Sequence, residues 1–291
     1  MEKCNHGQLI CGKKSRGFFY KYDICSQYPS LMNSGQHRFP MSEGELKTLT
    51  SDEFNKLEYY QFGIYHVKVQ DNTNKMIFRN NPDNWYTHTD LNLARKQKYR
   101  IDLIDDDEPN FLYYSKETLK SGKELFGNFI QYMFALKEQG HKEIKPYLNA
   151  LWGALTQSNS LKVSNHVNAN KTVMSLIPVG DDINFESVDL RVANKDNYYE
   201  TKFARIKPFM LAYARQNTAN IVLKNIDSVV RVHTDGVILN KPIHKEQKLG
   251  NKLGDLKYEG FSYCEILNGN NYIWYVDKAK SYERAKYKIS S

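Results

Sequence analysis

Ser228-Val-Val-Arg-Val-His-Thr-Asp-Gly-Val-Ile-Leu239 is the stretch on which the fold depends. Two short apolar runs flank His233-Thr234-Asp235-Gly236, and a polar Asp-Gly turn between such runs predicts a β-hairpin. Upstream, Phe203 to Lys224 carries a helical pattern with Pro208 near its start, where a missing N–H costs little. Gly17 to Ile24 (GFFYKYDI) has the aromatic and β-branched character of a strand, and Tyr272 to Val276 (YIWYV) reads as a last apolar strand. Strands, helices and a hairpin in this order give an α+β chain rather than alternating βαβ units.

Working outward, Lys116 to Gln139 places Leu119, Leu125, Phe129 and Phe134 at near-helical spacing, and Gly140 is a suitable helix stop. A second helix is predicted over Lys142 to Ser158. Residues 31 to 119 are mixed, with a strand-like run from Gly63 to Val69, a polar loop around Asn80 to Asp83 and an acidic turn from Asp105 to Pro109. Residues 159 to 200, rich in Asn and Asp, read as a β-rich or loop-rich insertion.

The 291 residues are 41% hydrophobic and 25% charged, which is ordinary globular composition. No apolar run approaches the length of a membrane span, and Met1 to Gly12 carries no signal-peptide block. The net charge of +8 favours a polyanionic partner, though charge alone does not identify one. Cys4, Cys11, Cys25 and Cys264 are too sparse for a disulfide scaffold, so a reducing intracellular compartment is the expectation. Cys4, His6 and Cys11 fit no zinc spacing and lack a fourth ligand.

Two carboxylates draw attention. Asp23 leaves an apolar strand into a polar turn, and Asp235 stands at the hairpin tip beside Gly236, where a substrate can approach closely. Each alone reads more readily as a solvated or turn-forming aspartate. Together, on two rigid elements, they are what two-metal phosphoryl transfer needs: convergent hard oxygen donors. On the second helix, Lys142, Lys145 and Asn149 share one face, with Trp152 and Gly153 a turn further on. Such a face offers cations to a triphosphate and a flat surface to a base; without the aspartates it reads as a solvated basic face.

Asp23-Ile-Cys-Ser-Gln27-Tyr28-Pro-Ser30 resembles motif A of family B DNA polymerases, DxxSLYPS, with Gln27 in place of leucine. Lys145-Pro-Tyr-Leu-Asn149-Ala-Leu-Trp152-Gly153 resembles motif B, KxxxNSxYG, and His233-Thr-Asp-Gly236 resembles motif C, DTDS, with both flanking positions changed. Lys252 to Glu259 is similar to the segment leading from palm to thumb. The order and spacing look like the viral and organellar, protein-primed branch.

The resemblance implies a right-hand polymerase core, with an antiparallel palm, a helical fingers hairpin and little or no thumb. Motif A falls in a palm segment 1–40 and motif C in 201–260, with fingers at 116–158, insertions at 41–115 and 159–200, and the thumb beginning at 261–291. It implies that Asp23 and Asp235, with the Ile24 carbonyl, hold two Mg²⁺ ions, for which Mn²⁺ can substitute. Tyr28 would pack under the incoming sugar, Lys137 and Lys145 would bind the triphosphate, and Asn149 and Trp152 would line the nascent base pair. Primer and template contacts fall to Gly153, Thr234, Lys257 and Tyr272. A lysine two positions before Tyr272 is replaced by Asn270, with Lys257 expected to substitute for it. The implied partners are primer-template DNA, deoxynucleoside triphosphates, and a terminal priming protein or a separate chain bearing exonuclease or thumb; no membrane is implied. His233, where the family has an aspartate, motivates an alternative: a weak or inactive polymerase-like nucleic-acid-binding subunit.

Overall fold

The structure, a computed structural model, describes residues 2–71, 73, 75–157, 159–164, 173–178, 188–193 and 199–276, with backbone alone at 2, 149, 160–164, 173–178 and 188–193. The chain opens with β1 (Ile10–Gly12), β2 (Ser15–Ile24), α1 (Gln27–Met32), β3 (Arg38–Pro40), β4 (Glu45–Lys47) and α2 (Ser51–Asn55). It continues through β5 (Gly63–Gln70), β6 (Trp85–Thr87), α3 (His88–Lys96), β7 (Arg100–Leu103), β8 (Phe111–Tyr113) and β9 (Leu119–Ser121). Then come α4 (Gly122–Glu138), α5 (Ile144–Ala154), β10 (Ser160–Ser164), β11 (Val173–Pro178) and β12 (Val188–Ala193). The last elements are α6 (Lys207–Lys224), β13 (Val229–His233), β14 (Gly236–Leu239), β15 (Leu256–Ile266) and β16 (Tyr272–Trp274).

Two compact units divide the chain, Met1–Asn149 with Pro208–Ser291, and Ala150–Lys207. In the first, a six-stranded antiparallel sheet has the order β1-β13-β14-β2-β15-β16. Alternation along its strands sends Tyr22, Ile24, Val232, Val237, Leu239 and Leu256 to one face. They form one core with Ala219, Ile221 and Val222 of α6, with Leu91 of α3 and with Tyr65, Val67, Tyr86 and Phe111 from a second, five-stranded sheet. Each such side chain contributes about 1.5–3 kcal/mol when fully buried. The opposite face carries Lys21 and Asp23 and a smaller cluster of Phe19, Val230, Ile238, Cys264 and Ile266.

α6 is buried on nearly every side, so its Arg215 needs a partner. Arg215 has one: Nε donates to Asp90 Oδ1 at 3.0 Å and an NH₂ group donates to Asp90 Oδ2 at 2.8 Å. Its other nitrogen donates to the carbonyls of His6 and Gly7. Asp90 also closes the capping box of α3 with Thr87. Burial pushes the Asp90 carboxyl up, but the Arg215 charge, His6 and the hydrogen bonds from Arg215 and Thr87 together reverse this and leave it below the usual carboxylate range.

The predicted hairpin forms, β13 pairing with β14. The helix expected from Lys116 begins instead at Gly122. Leu119 belongs to β9, opposite Pro40, and Ser121 and Glu124 close a capping box that starts the helix after it. Lys142, expected inside the second helix, lies in the turn ahead of α5. In the second unit, β10, β12 and β11 form a three-stranded antiparallel sheet. The remaining residues of the 159–200 segment, apart from 159, 199 and 200, lie outside the described residues.

Candidate active site

β2 lies between β14 and β15, and the register decides what meets. Asp23 stands opposite Gly236 on one side and Lys257 on the other, while Gly236 is paired in turn with His233. The Ile24 N–H donates to the Asp235 carbonyl at 3.1 Å, tying the end of β2 to the hairpin tip. A Cβ at position 236 would sit 3.3 Å from Asp23 Oδ1, so the glycine gives the Asp23 carboxylate its room. Thr234, at φ +58°, turns the chain through the left-handed region just before Asp235.

The electrostatics of this corner are those of two crowded acids. Burial first, and the Asp235 charge second, push Asp23 up to about 6. Burial likewise raises Asp235. Lys145 lowers both and Glu259 raises both, so these two groups also face the corner. Neither aspartate has an ion-pair partner within 4 Å among the described residues. Among those residues, moreover, no group of three or more His, Cys, Asp or Glu side chains gathers to hold a metal. A cation here would rest on Asp23, Asp235 and backbone oxygen. The donor set fits a hard divalent ion: two carboxylates whose repulsion and desolvation a cation relieves.

Around the pair, Tyr28 is half-buried; burial and then the Asp235 charge push its phenol up to about 12. Lys137, at the end of α4, donates to Ser26 Oγ at 2.9 Å and so reaches the motif A turn. His233 is held below its ordinary value by burial and by Arg231, against the pull of Asp235. Trp152 and Gly153 belong to the other compact unit, and the side chain of Asn149 lies outside the described residues.

Two features escape the sequence reading. Glu259 sits at a β-bulge: Tyr258 pairs with Tyr22 and Gly260 with Lys21, so Glu259 has no residue opposite it. Gly260, at φ +141°, permits this, and Glu259 is bridged by Lys257 at 3.2 Å and Lys21 at 3.8 Å. Among the described residues, Lys257 pairs with Glu259 rather than with the Tyr272 ring. The cations there are Arg231, 4.2 Å from the ring centroid, and Lys21 at 6.0 Å. Arg231 reaches the ring from β13. Its signal was a charged residue in an otherwise apolar strand.

The family described as DNA polymerase type B, organellar and viral, matches residues 4–228, and the chain belongs to it. The particular likenesses are to phi29 DNA polymerase. Its post-translocation binary complex with primer-template DNA is 19% identical with a TM-score of 0.65, over 94% of this chain and 48% of that one. Its ternary complex with primer-template DNA and incoming nucleotide substrates is 18% identical, TM-score 0.65, over 94% and 49%. Its orthorhombic crystal form is 19% identical, TM-score 0.59, over 94% and 50%. The fold is therefore that of phi29 polymerase, an α+β core with an antiparallel sheet, and this chain spans about half that polymerase's length. No curated protein matches the chain.

Proposed function

We propose that this chain carries out template-directed DNA synthesis, transferring a nucleotidyl group from a deoxynucleoside triphosphate to a primer 3′-hydroxyl or to the hydroxyl of a priming protein. The observation that carries the proposal is the placement of Asp23, near the end of β2, beside Asp235, in the hairpin turn that the Ile24 amide ties to that strand. Asp23, Asp235 and the Ile24 carbonyl would hold Mg²⁺, or Mn²⁺ in its place. Bound there, two such ions lower the pKa of the attacking hydroxyl and neutralise charge on the departing pyrophosphate.

The chain's own residues orient the reactants. Lys145, which already feels both aspartates, and Lys137, anchored on Ser26, complement the triphosphate as charge builds on it. Tyr28, beside Asp235, supports the sugar and disfavours a 2′-hydroxyl. Asn149 and Trp152 are assigned to the nascent base pair, and Gly153, Thr234, Lys257 and Tyr272 to the primer and template strands. Residues 41–115 and 159–200 are assigned as insertions into palm and fingers, of the kind that serve a terminal protein and strand displacement. A separate exonuclease- or thumb-bearing chain is a further candidate partner, and the compartment is taken to be reducing.

His233 favours a second reading, a polymerase-like nucleic-acid-binding subunit with weak or no turnover, because neutral imidazole is a poor ligand for Mg²⁺. Extension of a primed template with Mg²⁺ or Mn²⁺ separates the two. Extension by the wild type that disappears in Asp235→Ala supports the enzyme. Binding of primed DNA with no extension under either metal supports the subunit.

A further inference from the structure

Gln27, where the motif it resembles has leucine, is almost completely buried at 1% exposure. Its Nε2 donates to the Ala214 carbonyl at 3.0 Å and to the Thr218 hydroxyl at 3.2 Å. Thr218, itself wholly buried on α6, passes its own hydroxyl proton to the Thr234 carbonyl at 2.8 Å. One buried hydroxyl therefore joins the residue before Tyr28 to the residue before Asp235. The other end of the amide, Oε1, has no hydrogen-bond partner among the described residues. Leucine would fill similar space without stranding an acceptor, so the amide burdens the core unless its donor arm has work to do.

That work lies at the hairpin tip. The Thr234 N–H donates to the Leu9 carbonyl at 2.9 Å, and its carbonyl accepts from Thr218. A β-branched residue in the left-handed region is strained, and here it is held from both of its backbone polar groups. Held so, it fixes the direction in which the next residue leaves the turn.

We propose that Gln27 and Thr218 are positioning residues, which hold the Thr234 turn so that Asp235 stays in register with Asp23. The inference rests on the polymerase reading for its catalytic consequence but not for its structural one. Neither residue touches the reacting groups; both act through the Thr234 carbonyl.

The test uses the full chain with Gln27→Leu, Thr218→Val, their double mutant, and Thr218→Ser, which keeps the hydroxyl. Single-nucleotide incorporation is measured together with hydrogen exchange at the Ile24 amide, the group that donates to the Asp235 carbonyl. Gln27→Leu and Thr218→Val are each expected to lower kcat about tenfold, the worth of one hydrogen bond, with little change in KM for the nucleotide. The double mutant should be no slower than the slower single one, and Thr218→Ser should stay near wild type. The Ile24 amide should exchange about tenfold faster in Thr218→Val and at the wild-type rate in Thr218→Ser. Wild-type kcat in both apolar variants, or exchange that does not respond to Thr218→Val, overturns the inference. Should the wild type itself extend no primer, the polymerase reading fails and the exchange measurement decides the inference alone.

Discussion

Replacing Asp23 with asparagine should make the metal-free protein more stable. The folded carboxyl titrates at about 6 against an ordinary value of 3.8, chiefly because it is buried and secondarily because Asp235 is close. Between those two values the folded chain keeps a proton that the unfolded chain has lost, so stability falls as pH rises through this window. Above pH 6 the whole penalty is present; below about 4 it is absent. At 1.36 kcal/mol for each pH unit the full effect would be about 3 kcal/mol, and screening of this partly exposed group reduces it to about 1–2 kcal/mol. The assay is thermal or urea unfolding of wild type and Asp23→Asn in EDTA at pH 4 and pH 7.5. The variant should gain about 1–2 kcal/mol at pH 7.5, or about 2–8 °C in Tm, and nothing at pH 4. Excess Mg²⁺ should then raise the stability of the wild type more than that of the variant. Equal stability of the two proteins at pH 7.5 without metal would refute the argument that the acids are held against their electrostatic preference.

Two further outcomes follow from the same structure. Asp90→Asn leaves the Arg215 guanidinium buried with only carbonyls for company, and should cost about 3–5 kcal/mol in urea unfolding at neutral pH. Thr234→Asn puts a residue that tolerates the left-handed region where a β-branched one now sits at φ +58°, and should raise stability by about 0.5–1 kcal/mol in the same assay.

The parts of this molecule that local chemistry governs were readable in the sequence. The His233-to-Gly236 turn between apolar runs announced a hairpin, and the aromatic and β-branched character of GFFYKYDI announced the strand that carries Asp23. The start of α4 was not readable from apolar spacing, because Leu119 pairs with Pro40 and the capping box at Ser121 takes precedence. β15, eleven residues long, was hidden by the bulge: Glu259 and Gly260 interrupt its alternation, and glycine weakens any strand signal. α3 was overlooked because it is short and its opening, Thr87 to Asp90, reads as a polar loop. The Arg215–Asp90 pair joins positions 125 residues apart, and no local rule relates them. Gln27 was visible only as a departure from a motif; what it binds required the fold.

The clasp between Arg215 and Asp90 bears on how this chain can be shortened or grafted. A designer who treats residues 41–115 as a detachable module would remove Asp90 with them and strand a guanidinium in the middle of α6. The aromatic and aliphatic side chains that this segment lends to the common core would leave with it. A trimmed chain would need an apolar residue at position 215 and a new cover for the exposed sheet face before it could fold. Residues 41–115 and α6 are therefore one unit of inheritance: a change at either end of the clasp costs stability unless the other changes with it.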